Sequence, residues 1–346
     1  MKRVNKMKKL FNNYFFNLGL IIVIGIIVYA ISYGAFGQDM IIALKQAKIE
    51  YLLLTLVIVF FWQFLIGYVL TKLTRFTYPE YKIKDGILNA FVAALFHGIT
   101  PSSTGGQFAQ FYVYRKQGVS TGDAGSILWM EFIIYQSCLT LISLVLIILK
   151  FGYFYKEFSN LFIFVIIGFI INTSIIFFLY ALAKFKRLHT WLTTKGVNLA
   201  YRFHIIKDKE NTIINVENQL ERFRYEIANL KHHKKAIASC VIICIIRLLL
   251  YYSIPFFVFL SLGTKFDLNL LLDSIAMGSF VAIASGMIPI PGASGGTEAI
   301  FILMFSNLFG SATVAGAMIL WRFMTYYLVM ILGAISFAMV KLKRVD

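Results

Sequence analysis

The chain has 346 residues, of which 59% are hydrophobic and only 14% are charged, whereas roughly 25% are charged in an average soluble domain. This composition excludes an ordinary soluble domain and indicates a polytopic membrane protein. The formal net charge of +17 does not indicate nucleic-acid binding, because Lys and Arg in a membrane protein primarily report the orientation of its loops.

Six apolar runs are long enough to cross a bilayer as helices, which takes about 20 residues each. They are 15–36, 51–72, 125–149, 160–183, 236–261 and 313–340. The first of them is longer than the core of a signal peptide, so we predict an uncleaved helix. A transmembrane β-barrel is disfavoured because no regular alternation of polar and apolar residues is present. The predicted fold class is therefore an all-α polytopic membrane protein that forms a single membrane domain over 1–346.

Two further apolar segments, 86–114 and 269–309, are each interrupted by a hexapeptide of the form Pro-x-x-(Ser/Thr)-Gly-Gly. The hexapeptides are Pro101-Ser102-Ser103-Thr104-Gly105-Gly106 and Pro291-Gly292-Ala293-Ser294-Gly295-Gly296. The chain has only five prolines, and the hexapeptides lie 190 residues apart. An Ile-Leu-Trp triplet follows each of them, with a similar separation of 192 residues. These landmarks predict an internal repeat.

The distribution of basic residues predicts how the chain is oriented. If the two interrupted segments are re-entrant hairpins, 26 of the 33 Lys and Arg residues fall on the cytoplasmic side and five fall outside. Both termini are then cytoplasmic, as six full crossings require. The two repeats, 51–150 and 236–340, enter the membrane in opposite senses, which is the inverted-topology pattern of many transporters.

The segment 184–235 between the repeats holds 12 of the basic residues. It is predicted to be a cytoplasmic connector. A helical pattern of apolar residues between 216 and 230 suggests that part of it lies on anionic lipid headgroups. A solvated linker is the alternative.

The hexapeptides are candidate binding sites. Proline ends the incoming helix and the glycines allow a tight turn. Unpaired amides at the start of the next helix favour an anion such as a phosphate. Nearby side chains would add hydrogen-bonding groups: Ser102, Ser103, Thr104, Gln107, Ser294 and Thr297. The alternative is a pair of kinks that serve only helix packing.

Glu131 and Arg322 lie within predicted crossings, where a charge costs about 2.5–3.5 kcal/mol on insertion scales. They should face a cavity or each other. In the functional interpretation, Arg322 neutralises an anionic headgroup, and Glu131 accepts a cationic or hydroxylated group or a proton. In the structural interpretation, the two residues form a static ion pair across the axis that relates the repeats.

Three other charged residues are weaker candidates. Glu298 occupies the first turn of a helix, where the dipole favours a carboxylate either as a cap or as part of a site. Arg247 lies one-third of the way along a crossing and faces either a cavity or the membrane interface. Arg115 ends the first interrupted segment, where it would gather anionic headgroups or simply set orientation.

The sequence contains no Walker loop, nucleotide-binding fingerprint, nucleophile elbow or metal-ligand cluster. The three cysteines, Cys138, Cys240 and Cys244, fall inside apolar runs and do not indicate a disulfide framework. We therefore expect no enzymatic activity, no cofactor and no metal.

The stretch from Thr100 to Gly106, followed by a helix that ends at Arg115, and the stretch from Pro289 to Glu298 resemble the transmembrane domain of lysylphosphatidylglycerol synthase/flippase proteins. The resemblance extends over about 15–340. It implies a flippase of the cell (plasma or inner) membrane that moves a phospholipid or glycolipid between leaflets through a central polar cavity. A homodimer is one assembly that the sequence leaves open. Aminoacylated phosphatidylglycerol and polyprenyl-linked lipids are the substrates that the family suggests.

The chain ends at Asp346 without a soluble synthase domain, so we expect that it does not make the aminoacyl lipid. Two alternatives remain open at this point. One is a secondary transporter of a small soluble anion, and the other is a membrane scaffold that transports nothing.

Overall fold

The computed structural model describes residues 44–101, 103–152, 191–202, 208–229, 234–286 and 288–342, together with residues 26, 30, 41, 42 and 206 and scattered positions between 166 and 188. The helices are α1 (Ile49–Thr74), α2 (Ile83–Ile99), α3 (Gly105–Lys116), α4 (Thr121–Leu149), α5 (Val197–Arg202), α6 (Lys209–Asn229), α7 (Lys234–Ser261), α8 (Leu268–Gly286), α9 (Gly296–Phe309), α10 (Ser311–Arg322) and α11 (Leu328–Leu342). A π-helical turn, Phe323–Tyr327, joins α10 to α11.

Among the described residues, five helices are long and apolar enough to cross a membrane: α1, α4, α7, α8 and the continuous helix Ser311–Leu342 formed by α10 and α11. The all-helical prediction is confirmed for the described residues, and four of the six predicted crossings coincide with long apolar helices. The other two, 15–36 and 160–183, lie mostly outside the described residues.

Each interrupted segment breaks at its hexapeptide, as predicted, and its two helices pack against each other. Helix α2 packs against α3 in the first segment, and α8 packs against α9 in the second. Helix α8 has 19 residues, so it is about 28 Å long, close to the roughly 30 Å of the hydrocarbon core. It is thus long enough to cross the membrane unaided, which the sequence interpretation did not anticipate.

The two halves of the chain repeat the same order of helices. Helices α1 to α4 recur as α7 to α10, with α11 extending the last of them. The halves are in close contact, because α1 packs along α7 and α2 packs along α11.

The predicted helix of the connector is present as α6. Its first turn is capped by Asp208, which accepts hydrogen bonds from the Asn211 side chain at 2.6 Å and the Asn211 backbone amide at 3.1 Å. These bonds lower the pKa of the Asp208 carboxyl, because they favour its ionised form.

Glycines let α1 and α2 approach until their backbones touch. A Cβ atom added at Gly67 would lie 2.5 Å from the Cα of Ile87, and one added at Gly86 would lie 2.5 Å from the carbonyl oxygen of Gly67. Neither contact can be relieved by rotating a side chain. Small residues at such crossings are how membrane helices obtain close van der Waals packing.

We expect Gly67→Ala to lower the free energy of unfolding by about 1–3 kcal/mol, because the extra methyl group forces α1 and α2 apart. Gly125→Ala is the matched control. Gly125 is also helical, but no atom lies within 4 Å of its added Cβ, so alanine there should be neutral or stabilising by up to about 1 kcal/mol. Thermal unfolding of the purified protein in detergent measures both. Equal melting temperatures for the two variants would contradict the close approach.

Candidate functional site

The two hexapeptides share a left-handed residue at one position and differ at another, since Gly295 has φ of 86° whereas the equivalent Gly105 is already the first residue of α3. Ser103 has φ of 54° and Ala293 has φ of 50°, and they are the only non-glycine residues with positive φ among those described. They occupy equivalent positions, 190 residues apart. Because the left-handed region disfavours residues with a Cβ atom, its presence at both positions indicates that the two turns are built to the same plan.

The hydrogen bonds of the turns match as well. In the first turn, Ser103 N donates to Thr100 O at 3.2 Å and Thr104 N donates to Pro101 O at 3.3 Å. In the second turn, Ala293 N donates to Ile290 O at 2.9 Å and Ser294 N donates to Pro291 O at 3.3 Å. The repeat predicted from the sequence pattern is therefore a repeat of local structure.

The two turns also meet. Pro101 and Pro291 form an isolated antiparallel β-bridge, although they are far apart in the sequence. We call the residues 101–106 and 291–296 the paired turns. The bridge brings the turn before α3 next to the turn before α9.

One amide of each turn is already bound to a side chain. Gly105 N donates to Thr100 Oγ1 at 2.8 Å, and the equivalent Gly295 N donates to Glu298 Oε2 at 2.6 Å. The predicted role of Glu298 as a cap is confirmed. These two amides are therefore not available to bind an anion. The prediction that unpaired amides at both helix starts bind an anion does not hold for Gly105 and Gly295.

Arg322 fastens the second turn to α10. Its Nε lies 2.8 Å from Glu298 Oε1, and its Nη2 donates to Gly292 O at 2.6 Å and lies 3.4 Å from Ser294 Oγ. The side chains of Arg322 and Glu298 are only 9% and 4% exposed. The suggested ion pair between Arg322 and Glu131 is wrong, because each residue pairs with a different partner.

Tyr326 connects the Arg322 cluster to the first interrupted segment. The guanidinium carbon of Arg322 lies 3.9 Å from the centre of the Tyr326 ring, and the Tyr326 hydroxyl donates to Gly98 O of α2 at 3.0 Å. The sequence analysis missed Tyr326. Tyr326 lies four residues after Arg322 on the same helix, and this spacing indicates a contact between the two side chains.

The polar side chains of the two turns differ in accessibility. Ser103, Thr104 and Gln107 at the first turn are exposed. Ser294 and Thr297 at the second are buried, and Thr297 Oγ1 donates to Ser285 Oγ at 2.9 Å. Ser102 lies outside the described residues. At the first turn the exposed Thr104 hydroxyl also donates to Pro101 O, at 3.0 Å, so the two turns differ in the exposure of their side chains rather than in whether those side chains are bonded within the protein.

The glycines of the paired turns lie against neighbouring side chains. A Cβ at Gly106 would meet the His97 ring, one at Gly292 would meet the Tyr326 hydroxyl, and one at Gly296 would meet the end of the Ile288 side chain. Gly292 also has a positive φ of 60°, so the backbone conformation favours glycine there independently of packing.

A second buried ion pair joins α4 to α7. Arg247 Nη2 lies 2.7 Å from Glu131 Oε1, with side-chain exposures of 4% and 15%. The guanidinium carbon of Arg247 lies 5.0 Å from the centre of the Tyr135 ring. Of the two placements predicted for Arg247, the interior one is correct. The Cys244 side chain also interacts with this guanidinium group, so Arg247 contacts residues on both α4 and α7 within the interior. Its Nη1 is shielded from solvent.

Arg115 has a local partner. It is exposed, and its Nη1 donates to Val119 O at 2.7 Å. This hydrogen bond stabilises the loop after α3. In the described part of the chain, no group of three or more His, Cys, Asp or Glu residues is arranged to hold a metal ion.

The comparison with known families agrees with this architecture. A family model described as "Lysylphosphatidylglycerol synthase TM region" matches residues 16–333. The chain is also similar to a protein of Archaeoglobus fulgidus described as "UPF0104 membrane protein". The two are 27% identical over 257 residues, which cover 71% of this chain and 74% of the archaeal protein.

Proposed function

This chain belongs to the lysylphosphatidylglycerol synthase TM region family, and we propose that it is a lipid flippase of a cell membrane. It is a multi-pass membrane protein, with five long apolar helices in the described part of the chain. The proposed substrate is a phospholipid or glycolipid with a phosphate in its headgroup. Aminoacylated phosphatidylglycerol and polyprenyl-linked lipids are examples.

The observation that carries the proposal is Arg247, a charged residue that is only 3% exposed within a helix long and apolar enough to cross the membrane. Charged groups at membrane depth are costly and typically serve a substrate or ion pathway. A guanidinium group pairs with phosphate through two parallel hydrogen bonds. Arg247 therefore has the chemistry to hold a phosphate headgroup within the apolar interior.

The paired turns supply the rest of the proposed path. The exposed Ser103, Thr104 and Gln107 would contact the headgroup as it leaves the aqueous surface. The acyl chains would remain in the bilayer, along apolar surfaces such as that of Phe108, which is 76% exposed beside the first turn. Arg322 and Glu298 would hold the second turn in shape while the headgroup passes.

The matching halves of the chain support an inverted-topology repeat with both termini in the cytoplasm. In this arrangement α2–α3 and α8–α9 are re-entrant hairpins that enter from opposite sides and meet at Pro101 and Pro291. Rocking of one half against the other would expose the site alternately to the two leaflets. The mechanism requires no covalent chemistry and no nucleotide.

A flip assay in liposomes tests the proposal. Purified protein is reconstituted with fluorescent phosphatidylglycerol, lysyl-phosphatidylglycerol, a neutral glycolipid or a polyprenyl phosphate, and a membrane-impermeant quencher reports how fast each lipid changes leaflet. We expect faster movement of at least one phosphate-bearing lipid than in protein-free liposomes. Uptake of a soluble phosphate ester without any lipid movement would instead support a small-anion transporter. No movement of any probe would overturn the proposal and favour a scaffold.

A further inference from the structure

The Tyr326 hydroxyl contacts both interrupted segments at the places where they break. It donates to Gly98 O at 3.0 Å, and Gly98 lies near the end of α2, three residues before Pro101. At the second turn, the same hydroxyl interacts with the Ser294 side chain. It also lies against Gly292, because a Cβ atom added there would meet it. One oxygen atom is thus shared between the two hairpins.

The Tyr326 ring is held in place separately from its hydroxyl. The guanidinium carbon of Arg322 lies 3.9 Å from the ring centre. The ring of Tyr327 packs against it at an angle of 76°, with 5.1 Å between the two ring centres. A phenylalanine at position 326 would therefore keep these ring contacts and would lose only the contacts of the oxygen atom.

Tyr326 belongs to the π-helical turn Phe323–Tyr327, which joins α10 to α11. The Leu328 amide donates to Phe323 O, five residues earlier, and this spacing is the one that defines a π turn. Single π turns inside α-helices occur frequently at functional sites. The helix is therefore irregular at the point where its tyrosine contacts both hairpins.

The first half of the chain has no π turn at the equivalent place. The Ile-Leu-Trp triplets are 192 residues apart, so Tyr326 corresponds to Ile134 on α4. Helix α4 is α-helical throughout Thr121–Leu149, and Ile134 is a buried apolar residue. The repeated plan of the two halves therefore does not account for the π turn or for its tyrosine.

The Tyr326 hydroxyl adds to the direct contact between the two turns. Pro101 and Pro291 form the β-bridge, and the hydroxyl contacts the backbone before the first turn and the side chain of the second. Arg322, on the same crossing, donates to Gly292 O at 2.6 Å. Because one hydroxyl binds at both turns, a displacement of either turn changes the contacts of the other.

Alternating access requires such a connection. When two inverted repeats rock against each other, opening towards one leaflet has to accompany closing towards the other. Hairpins that moved independently would allow both sides to open or to close at once. A side chain shared at their meeting point links the two movements.

We propose that Tyr326 is a positioning residue that couples the two paired turns, so that the hairpins change position together while a lipid is flipped. This inference rests on the proposed flippase function. Tyr326 acts through the turns and does not contact the headgroup. Its hydroxyl therefore governs how fast the protein switches between its two states, and not how well it binds lipid.

Spin labels on the two hairpins test the coupling without any transport. Phe108 on α3 and Ala299 on α9 are both exposed, so each is replaced by a labelled cysteine. The three native cysteines are buried, so we expect little labelling of them. Pulsed electron paramagnetic resonance in liposomes then gives the distribution of distances between the labels. We expect Tyr326→Phe to broaden this distribution or to add a second distance.

Tyr327→Phe is the matched control for the label distances. Tyr327 is the next residue of the same π turn, and its described contacts are with the Tyr326 ring and with the cluster of Ile99 and Met330. Its distribution should equal that of the wild type. An unchanged distribution in Tyr326→Phe, or an equal change in both variants, would overturn the coupling by the Tyr326 hydroxyl.

The liposome flip assay separates positioning from headgroup binding. Tyr326→Phe should lower the maximal flip rate by about 2–10-fold, the factor that corresponds to one hydrogen bond. The lipid mole fraction that gives half of the maximal rate should stay the same. A higher mole fraction with an unchanged maximal rate would mean that the hydroxyl binds the headgroup, which would overturn the positioning role. A wild type that moves no lipid would overturn the flippase proposal, and the label distances would then decide the coupling of the turns by themselves.

Discussion

Replacing Arg322 with methionine is expected to lower the free energy of unfolding by about 3–5 kcal/mol and to abolish lipid flipping. The variant leaves the Glu298 carboxylate buried without its cation, which is among the most destabilising changes to a buried ion pair. It also removes the hydrogen bond from Arg322 Nη2 to Gly292 O, so the second turn loses its attachment to α10. Thermal unfolding in detergent and the liposome flip assay measure the two effects.

The double variant Arg322→Met/Glu298→Gln tests whether Arg322 is needed to stabilise the fold or to contact the headgroup. Glutamine retains an oxygen for the Gly295 amide, and no unpaired charge remains, so most of the lost stability should return. If Arg322 acts by holding the turn, flipping should return with it. Stability without flipping would show instead that Arg322 contacts the headgroup. A single variant as stable as the wild type would contradict the buried ion pair itself.

Replacing Arg247 with methionine is expected to slow the flipping of phosphate-bearing lipids by about 10–100-fold. A hydrogen bond to a charged group contributes about 1.5–3 kcal/mol, and each 1.4 kcal/mol or so corresponds to a factor of ten. The rate of flipping in liposomes gives the answer directly. Arg247→Lys keeps the charge but not the two parallel hydrogen bonds, so it should recover part of the rate.

Arg75→Met is the control for this prediction. Arg75 is exposed at the end of α1 and donates to Tyr81 O at 2.9 Å, so its loss changes the net charge equally without touching the interior. Its flip rate should equal that of the wild type. An equal reduction of the flip rate in both variants would indicate a general effect of net charge. An unchanged flip rate in both would show that Arg247 does not bind the headgroup during flipping.

The sequence predicted the breaks in both interrupted segments because Pro and paired Gly act locally. The spacing of the hexapeptides also indicated that Pro101 and Pro291 were equivalent. It could not show that these residues touch, since that contact depends on how α2 and α8 are placed by the surrounding helices.

The partners of the buried charges could not be predicted for the same reason. Glu131 and Arg322 occupy similar places in the two halves, which suggested that they face each other. The structure pairs them with Arg247 and Glu298 instead, because ion pairing is decided by distances across helices rather than by position along the sequence. The cap formed by Glu298 was predictable, since it involves the first turn of a single helix.

The paired turns share one left-handed residue and two backbone hydrogen bonds but differ in chemistry. Thr100 caps one turn and Glu298 caps the other, and only the second is fastened by an arginine. Arg322, which is buried in the apolar interior, stabilises the second turn through its ion pair with Glu298. The other turn presents Ser103 and Thr104 outwards, so the pair combines a fixed support with an accessible surface.

Photo-crosslinking with a lipid that carries its reactive group in the headgroup would test the central claim most directly. The wild-type protein is illuminated in liposomes, digested and analysed by mass spectrometry, with a probe that carries the reactive group at the end of an acyl chain as the comparison. The account predicts headgroup adducts on 101–107 and 291–298 and on α7 near Arg247, and acyl-chain adducts on the outer helix surfaces. Headgroup adducts confined to the connector 184–235 and the loops would contradict a headgroup path through the paired turns.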